Sequence, residues 1–184
     1  LTELTCDSRN ITDTTGLEKL TALTALNLYD NQVINIDLSN MKELQYLTLA
    51  KNEIQVIDLS VNTELLRLSI GNNPITAIDI SDNSKLETLF LNNALLRSVD
   101  ISKNTALSRA WFNNNLLTML DVSTNKDLII LDIQNNELTS IDISENVQLE
   151  RLELSNNRLT TIDPLSNLSL SLLDVSDNPV LCST

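Results

Sequence analysis

Two carboxylates on neighbouring strands are the residues best placed for acid–base chemistry. Asp132 and Glu153 lie 21 residues apart, which is one repeat of the chain, so parallel strands would bring them side by side on one face. A pair of carboxyl groups can serve as general acid and base, as in glycoside hydrolysis. The neighbouring residues predict a flat sheet, with no side chains that would exclude water or raise either pKa. We therefore expect no enzymatic activity from this pair.

A column of aspartates suggests a second chemistry, the binding of calcium by several oxygen ligands. The motif D-[LIV]-S-x-N occurs in five successive repeats, at Asp58, Asp79, Asp100, Asp121 and Asp142. Calcium-binding solenoids instead use a glycine-rich nonapeptide, whereas this chain has only two glycines. Asp, Ser and Asn commonly satisfy backbone donors at turns. Turn capping is the favoured interpretation and a cation site is the alternative, so no metal is predicted.

The sequence carries no other catalytic or cofactor-binding signature. It has no histidine, no glycine-rich phosphate loop, no G-x-S-x-G elbow and no Cys or His cluster for zinc. The two cysteines, Cys6 and Cys182, fall in the first and last repeats, too far apart to be bridged in an elongated fold. The predicted function is therefore non-catalytic and needs no cofactor.

A repeat of 21 residues positions all of these side chains. Equivalent segments open at Leu23, Leu44, Leu65, Leu86, Leu107, Leu128, Leu149 and Leu170, and a first segment, one residue longer, opens at Leu1. The form L-x-x-L-x-L-x-x-N-x-L is the signature of leucine-rich repeats, in which each repeat is one coil of a solenoid. We predict an α/β-type repeat solenoid, a leucine-rich-repeat horseshoe of about nine coils with a concave parallel β-sheet and mostly irregular or short 3-10 convex segments.

The predicted coils form a single domain over residues 1–184, because no composition break or flexible linker divides them. It comprises a 22-residue repeat (1–22), seven 21-residue repeats (23–169) and an incomplete last repeat (170–184). Leu1 is already in phase with the repeat, with no initiator Met or secretory segment before it. We therefore expect a trimmed or processed fragment.

An asparagine follows the strand in most coils, at Asn31, Asn52, Asn73, Asn115, Asn136, Asn157 and Asn178. Its amide can both donate and accept hydrogen bonds, so it can hold the backbone of adjacent coils where the chain turns inward. Arg9 and Ala94 take this position in the first and fifth coils. Weaker turns are predicted there.

The charge of the chain restricts its partners. A formal net charge of −13 with no basic stripe argues against binding to a phosphate backbone. No apolar run approaches the roughly 20 residues needed to cross a bilayer. A protein is the predicted partner and a glycan is the alternative, with no nucleic acid and no membrane insertion.

The residues between the strand leucines form three columns on the concave face. Phe90 and Trp111 share one column in successive coils, which predicts rings about 5 Å apart with Arg109 beside them. Aromatic residues and Arg on a rigid surface usually carry binding energy, although sheets also favour aromatic residues for stability. The predicted ligand-binding residues are Tyr29, Tyr46, Arg67, Phe90, Arg109, Trp111, Asn113, Asp132 and Arg151.

Two polar runs on this face have alternative interpretations. The acidic run Asp132, Glu153 and Asp174 either pairs with Arg109 and Arg151 or is a solvated face, and the second is favoured because exposed ion pairs contribute little. A column of asparagines either forms an amide ladder or, with the aromatic pair, recognises a glycan. It consists of Asn72, Asn93, Asn114, Asn135 and Asn156.

The repeats resemble those of the internalin family of bacterial surface proteins, particularly the internalin J type. The resemblance rests on turns such as Leu120-Asp121-Val122-Ser123 followed by Asn125, and on the segment RNITDTTGLEKL at 9–20. It covers essentially the whole chain. It implies a secreted or cell-surface bacterial protein that binds host or matrix molecules through the concave face. The internalin J type also implies a column of cysteines at the second strand leucine, where this chain has only Cys6.

Three functions are consistent with the sequence. The favoured one is a non-catalytic binding module of a bacterial surface or secreted protein, which recognises a host or extracellular protein, less readily a glycan. The alternatives are a rigid spacer that presents a neighbouring domain and an intracellular regulator of an enzyme. The oligomeric state stays open, because the sheet edges at the two ends can be capped or paired with another chain.

Overall fold

The repeat produces nine short strands that pair in parallel and lie in sequence order in a single sheet. The computed structural model describes residues 1–179, so the end of the predicted last repeat and Cys182 lie outside the described residues. The leucine-rich-repeat solenoid is confirmed. Its strands are β1 (Glu3–Thr5), β2 (Ala25–Asn27), β3 (Tyr46–Thr48), β4 (Arg67–Ser69), β5 (Thr88–Phe90), β6 (Arg109–Trp111), β7 (Ile130–Asp132), β8 (Arg151–Glu153) and β9 (Leu172–Asp174).

The return side of each coil consists of turns, as predicted. A short 3-10 helix, Leu17–Lys19, lies in the first coil and is the one helix within residues 1–179. No helix in this part of the chain is long and apolar enough to cross a membrane.

Strand register places equivalent residues of successive coils side by side. Phe90 on β5 is opposite Trp111 on β6, and Trp111 is in turn opposite Asp132 on β7. The side chains of a strand alternate between faces, so the central residue of each strand points into the core while its two neighbours point to the concave side. A column read from the sequence is therefore a row of neighbours on the surface.

The core consists of five apolar columns, which are buried in the central coils of the solenoid. In the third coil these positions are Leu44, Leu47, Leu49, Ile54 and Leu59, each at most 1% exposed. The sixth coil departs from the pattern, because Ala110 replaces the second leucine and Phe112 the third, and both are fully buried. A small and a large side chain at neighbouring inward positions keep the core volume roughly constant.

The predicted asparagine ladder is confirmed at the turn after the strand. The Nδ2 of Asn52 donates to Leu28 O and Leu49 O, both at 2.9 Å, and its Oδ1 accepts the N–H of Val33 at 2.9 Å. One buried amide therefore joins its own coil to the coil before it. Ala94 interrupts this ladder. The carbonyls of Ile70 and Leu91 still accept from Asn73 and Asn115, but among residues 1–179 no side chain accepts the N–H of Ile75, which corresponds to Val33.

A second ladder holds the return side. In the fourth coil Asp79 Oδ1 accepts hydrogen bonds from the hydroxyl of Ser81 at 2.7 Å and from its backbone N–H at 3.0 Å. These two hydrogen bonds lower the pKa of Asp79. The buried Asn83 that follows donates from Nδ2 to Leu59 O and Asn62 O of the preceding coil, at 3.1 Å and 2.9 Å. The same arrangement recurs along the solenoid, so the D-[LIV]-S-x-N motif is a turn cap. Within residues 1–179 no group of three or more Asp, Glu, Cys or His side chains is arranged to hold a metal ion.

Candidate functional site

The centre of the concave face carries a stacked aromatic pair. The rings of Phe90 and Trp111 have centroids 4.3 Å apart and planes within 7° of parallel. Their strands pair with these two residues in direct register, so both rings stand up from adjacent strands and lie face to face. The predicted proximity of the two rings is confirmed, and both are half-buried.

A cation extends this stack on the side of Phe90. The guanidinium carbon of Arg67 lies 5.0 Å from the centre of the Phe90 ring. Arg67 is opposite Thr88 in the register, and its long side chain reaches diagonally to Phe90. Arg109, the arginine expected beside the pair, is exposed and lies two residues before Trp111 on β6. Both arginines were predicted as binding residues, and the contact of Arg67 with the Phe90 ring is the part that the sequence did not indicate.

A second aromatic group lies toward the amino-terminal end of the same face. The ammonium of Lys51 is 5.1 Å from the centre of the Tyr29 ring, and a hydrogen bond with Tyr29 raises the pKa of Lys51. Tyr46 on β3 keeps 48% of its surface exposed. Lys51 was missed by the sequence analysis because it lies beyond the strand columns, and only its long side chain brings it onto this face.

The surface between these two aromatic groups is lined by small residues. Ala50 and Gly71 hold equivalent positions in successive coils, and both are buried. A Cβ at Gly71 would lie 2.6 Å from both the backbone O and the Oδ1 of Asn92, so glycine lets the Asn92 side chain lie across this position. Asn113 holds this position in the sixth coil, where it is half-buried and lies two residues after Trp111.

Two members of the acidic run, Asp132 and Glu153, are not part of the solvated face that the sequence favoured. Glu153 forms an ion pair with Arg151 and accepts a hydrogen bond from Gln134. Asp132 is only 9% exposed, and its Oδ1 accepts the backbone N–H of Gln134 at 3.1 Å. Burial raises the pKa of Asp132, and the charge of Glu153 raises it further. Trp111 and Glu153 are opposite Asp132 on the two neighbouring strands.

The exposed asparagine column has a backbone explanation. Asn72, Asn93, Asn114, Asn135 and Asn156 all have φ between 53° and 59°. Asn is among the few residues other than Gly that adopt this left-handed conformation readily. One amide contact is present in this column, from Asn156 Nδ2 to Asn135 Oδ1 at 2.6 Å. The aspartates at the same position of other coils, Asp30 and Asp177, were the signal that could have indicated a left-handed turn.

The predicted site residues therefore fall into three groups. Arg67, Phe90 and Trp111 form a continuous stack at the centre, with Arg109 and Asn113 at its edge. Tyr29 lies with Lys51 on one side of this stack, together with Tyr46. Asp132 and Arg151 lie on the other side, in the hydrogen-bonded acidic cluster. The face thus runs from cationic and aromatic groups to acidic ones.

Solved structures with this geometry include leucine-rich-repeat proteins of bacteria. A family model described as Leucine Rich Repeat matches residues 148–168. The functional domain of InlJ from Listeria monocytogenes is 34% identical, with a TM-score of 0.87, over 98% of this chain and 45% of that one. The chain is an internalin-like leucine-rich-repeat protein. No curated protein matches the sequence.

Two further solved structures share the fold of the internalin-like chain. A leucine-rich-repeat protein of Leptospira interrogans is 23% identical with a TM-score of 0.90, over 97% of this chain and 49% of that one. Internalin C2 of Listeria monocytogenes is 22% identical with a TM-score of 0.81, over 97% of this chain and 78% of that one. The internalin-like chain spans about half the length of the InlJ and Leptospira proteins.

One feature separates the internalin-like chain from the InlJ domain, whose structure is described as including a cysteine ladder. In this chain Cys6 is followed along the same column by apolar residues such as Leu49, Leu91 and Phe112, all fully buried. A hydrocarbon column therefore fills this part of the core. Leucine-rich-repeat proteins of this kind are protein-interaction modules in general, and the fold is typically a non-catalytic scaffold.

Proposed function

We propose that this chain is a non-catalytic binding module of a bacterial surface or secreted protein, and that its concave face recognises a host or extracellular protein. The observation that carries the proposal is the stack of Arg67, Phe90 and Trp111 at the centre of a rigid sheet. We further propose that residues 1–184 act as one leucine-rich-repeat domain. The identity to the InlJ domain supports the bacterial, extracellular setting.

A surface that is already ordered costs little to bind. The two rings are already held against each other, so a partner that covers them loses little side-chain entropy on association. Aromatic residues and Arg of this kind are enriched among the residues that dominate binding energy. Parallel strands joined by buried asparagine ladders keep the backbone beneath them in place. The surface is thus preorganised for contact with another protein.

The asparagine column favours a protein partner over a glycan. Its φ values account for Asn at this position without any ligand, so the column no longer argues for sugar recognition. The carboxylate pair likewise favours binding over catalysis. Glu153 is engaged by Arg151 and Gln134, which leaves it poorly available for proton transfer to a substrate.

The test is a binding screen of the purified chain against arrays of extracellular host proteins and glycans. A variant with Phe90→Ala and Trp111→Ala should bind the protein hit at least about tenfold more weakly, as expected for two central residues. The matched control is Val56→Ala with Met119→Ala, which removes apolar side chains that are 78% and 68% exposed and lie outside the strands. The control should bind within about twofold of wild type.

The opposite results point to the other functions. A hit that is bound equally by both variants would contradict a concave-face site and favour the rigid spacer. A hit confined to glycans would replace the protein partner by a sugar. The melting temperatures of both variants should lie close to that of wild type, so a loss of affinity reports on contact rather than on folding.

A further inference from the structure

A buried carboxylate without a cation partner lies beside the aromatic stack. Asp132 is more than nine-tenths buried, and its Oδ1 takes a single backbone hydrogen bond, from Gln134. Among residues 1–179 no side chain forms an ion pair with Asp132. Burial raises its pKa, and hydrogen bonding by Gln134 and the charge of Arg151 offset this rise only in part. Buried charges in proteins are normally paired, because the loss of hydration is costly. The missing counter-charge needs an explanation.

The neighbours of Asp132 supply that charge only in part. The charge of Arg151 lowers the pKa of Asp132, but its guanidinium forms an ion pair with Glu153 instead. Glu153 itself adds a second negative charge beside Asp132, with which it pairs in the register of β7 and β8. Asp132 lies on the concave side of the sheet, next to Trp111 on β6. A cation that comes from outside the chain would meet both groups at once.

We infer that the concave face takes an arginine side chain of a protein partner, which lies on the face of Trp111 turned away from Phe90 and donates hydrogen bonds to Asp132. This inference rests on the proposed function and specifies the chemistry of the partner. The chain already contains one guanidinium–ring contact of this kind, since the guanidinium carbon of Arg67 lies 5.0 Å from the centre of the Phe90 ring. A second guanidinium on Trp111 would extend the same stack.

Arginine fits this place better than lysine for geometric reasons. A guanidinium is planar, so it can lie flat on an indole ring and at the same time present several N–H donors in its plane to a carboxylate. Indole is also the aromatic ring that attracts cations most strongly. The net charge of −13 attracts a basic segment from a distance and raises its rate of encounter. Charge complementarity therefore agrees with the local contacts.

The single tryptophan of the chain makes the site directly observable. Trp111 is the only Trp, so its fluorescence reports on this location alone. We would titrate the intact chain with a short peptide, acetyl-Gly-Arg-Gly-amide, and with its citrulline analogue, which has the same shape but no charge. The arginine peptide should change the fluorescence saturably, in the millimolar range expected for one ring contact and one charged hydrogen-bonded pair. The citrulline peptide should leave it unchanged.

Two variants test the role of the carboxylate. Asp132→Asn should weaken the arginine peptide at least about tenfold, since it removes the charge that faces the guanidinium. Asp142→Asn, which makes the same charge change on the return side of the solenoid, should change the affinity less than about twofold. Both substitutions keep an acceptor oxygen for the existing backbone hydrogen bond, so both variants should fold.

Three results would overturn the inference. They are equal responses to the arginine and citrulline peptides, retained affinity in Asp132→Asn, and an equal loss in Asp142→Asn. None of them depends on the array screen, which uses Phe90 and Trp111 variants against whole proteins. The screen can find a protein that needs the aromatic pair while the peptide titration fails. In that case the proposed binding function would stand, and arginine would be rejected as the contacting group.

Discussion

Asn73 and Ala94 occupy the same position in successive coils, yet only Asn73 has a side chain that bonds the backbone of its neighbours. Asn73 donates to Leu49 O at 2.9 Å and Ile70 O at 2.8 Å, and it accepts the N–H of Ile54 at 2.9 Å. The equivalent groups of the fifth coil receive no such bonds from Ala94. Ala94 is nevertheless buried, so an asparagine side chain at this position would also be shielded from water.

Ala94→Asn should therefore stabilise the protein. The new amide would bond Ile70 O, Leu91 O and the N–H of Ile75, and a buried hydrogen-bonded amide of this kind should raise the free energy of unfolding by about 1–2 kcal/mol. Urea denaturation followed by circular dichroism measures the change. Ala77→Asn, at an exposed position, is the control and should shift nothing. An Ala94→Asn variant no more stable than this control would contradict the ladder as described.

Asn114 tests whether the exposed asparagines serve the backbone. With φ at 59°, Asn114→Ala should cost about 1 kcal/mol, because Ala lacks the short polar side chain whose local hydrogen bonding lets Asn adopt the left-handed region. Asn114→Gly should stay within about 0.5 kcal/mol of wild type, since glycine adopts this conformation freely. The glycine variant should also keep its affinity for the partner found in the array screen. Lost affinity with unchanged stability would instead make the amide a ligand contact.

Asp132→Asn should stabilise the folded protein at neutral pH. Burial raises the pKa of Asp132 above its ordinary value of 3.8, so its ionised form is disfavoured in the folded state. The advantage of the asparagine variant is therefore present above the folded pKa, and it shrinks as the pH falls through that pKa toward 3.8 and the wild-type carboxyl becomes protonated.

Asp142→Asn should show the opposite dependence of stability on pH in the same experiment. Hydrogen bonds from Ser144 lower the pKa of Asp142, so its carboxylate supports folding above the ordinary value of 3.8 and loses that effect as the pH falls through the lowered pKa. Unfolding curves of the three proteins between neutral and acidic pH should show these opposite trends. Equal behaviour of the two variants would mean that Asp132 is well solvated.

Ala110 and Phe112 should behave as a coupled pair. Phe112→Leu alone leaves unfilled volume in the sixth coil and should cost about 1–2 kcal/mol. Adding Ala110→Leu restores the leucine pattern of the other coils and should recover at least about 0.5 kcal/mol. Ala110→Leu alone should destabilise, because the core already holds Phe112. Additive effects in the double variant would show that the two side chains fill separate spaces.

The 21-residue period alone predicted the sheet and the neighbours within each column. When parallel strands pair with an offset of one repeat, residues 21 positions apart must lie side by side. The approach of Phe90 to Trp111 followed from that rule. The period could not predict which arginine lies on the rings, because a long side chain selects its contact by rotamer and reaches Phe90 diagonally from Arg67. It also could not predict that Asp132 is buried, since this depends on how the surrounding side chains pack. The φ of Asn114 is likewise a property of the turn rather than of the hydrophobic pattern.

The interruption of the ladder at Ala94 also has a mechanical meaning. A solenoid pulled from its two ends carries the load through every coil in series, so it yields at its weakest junction. The buried asparagines clamp all the other described turns from the second coil onward, and the fifth coil lacks that clamp. Under tension the stack should part there first, and the extension at the first rupture should match the release of whole coils from one side of that junction.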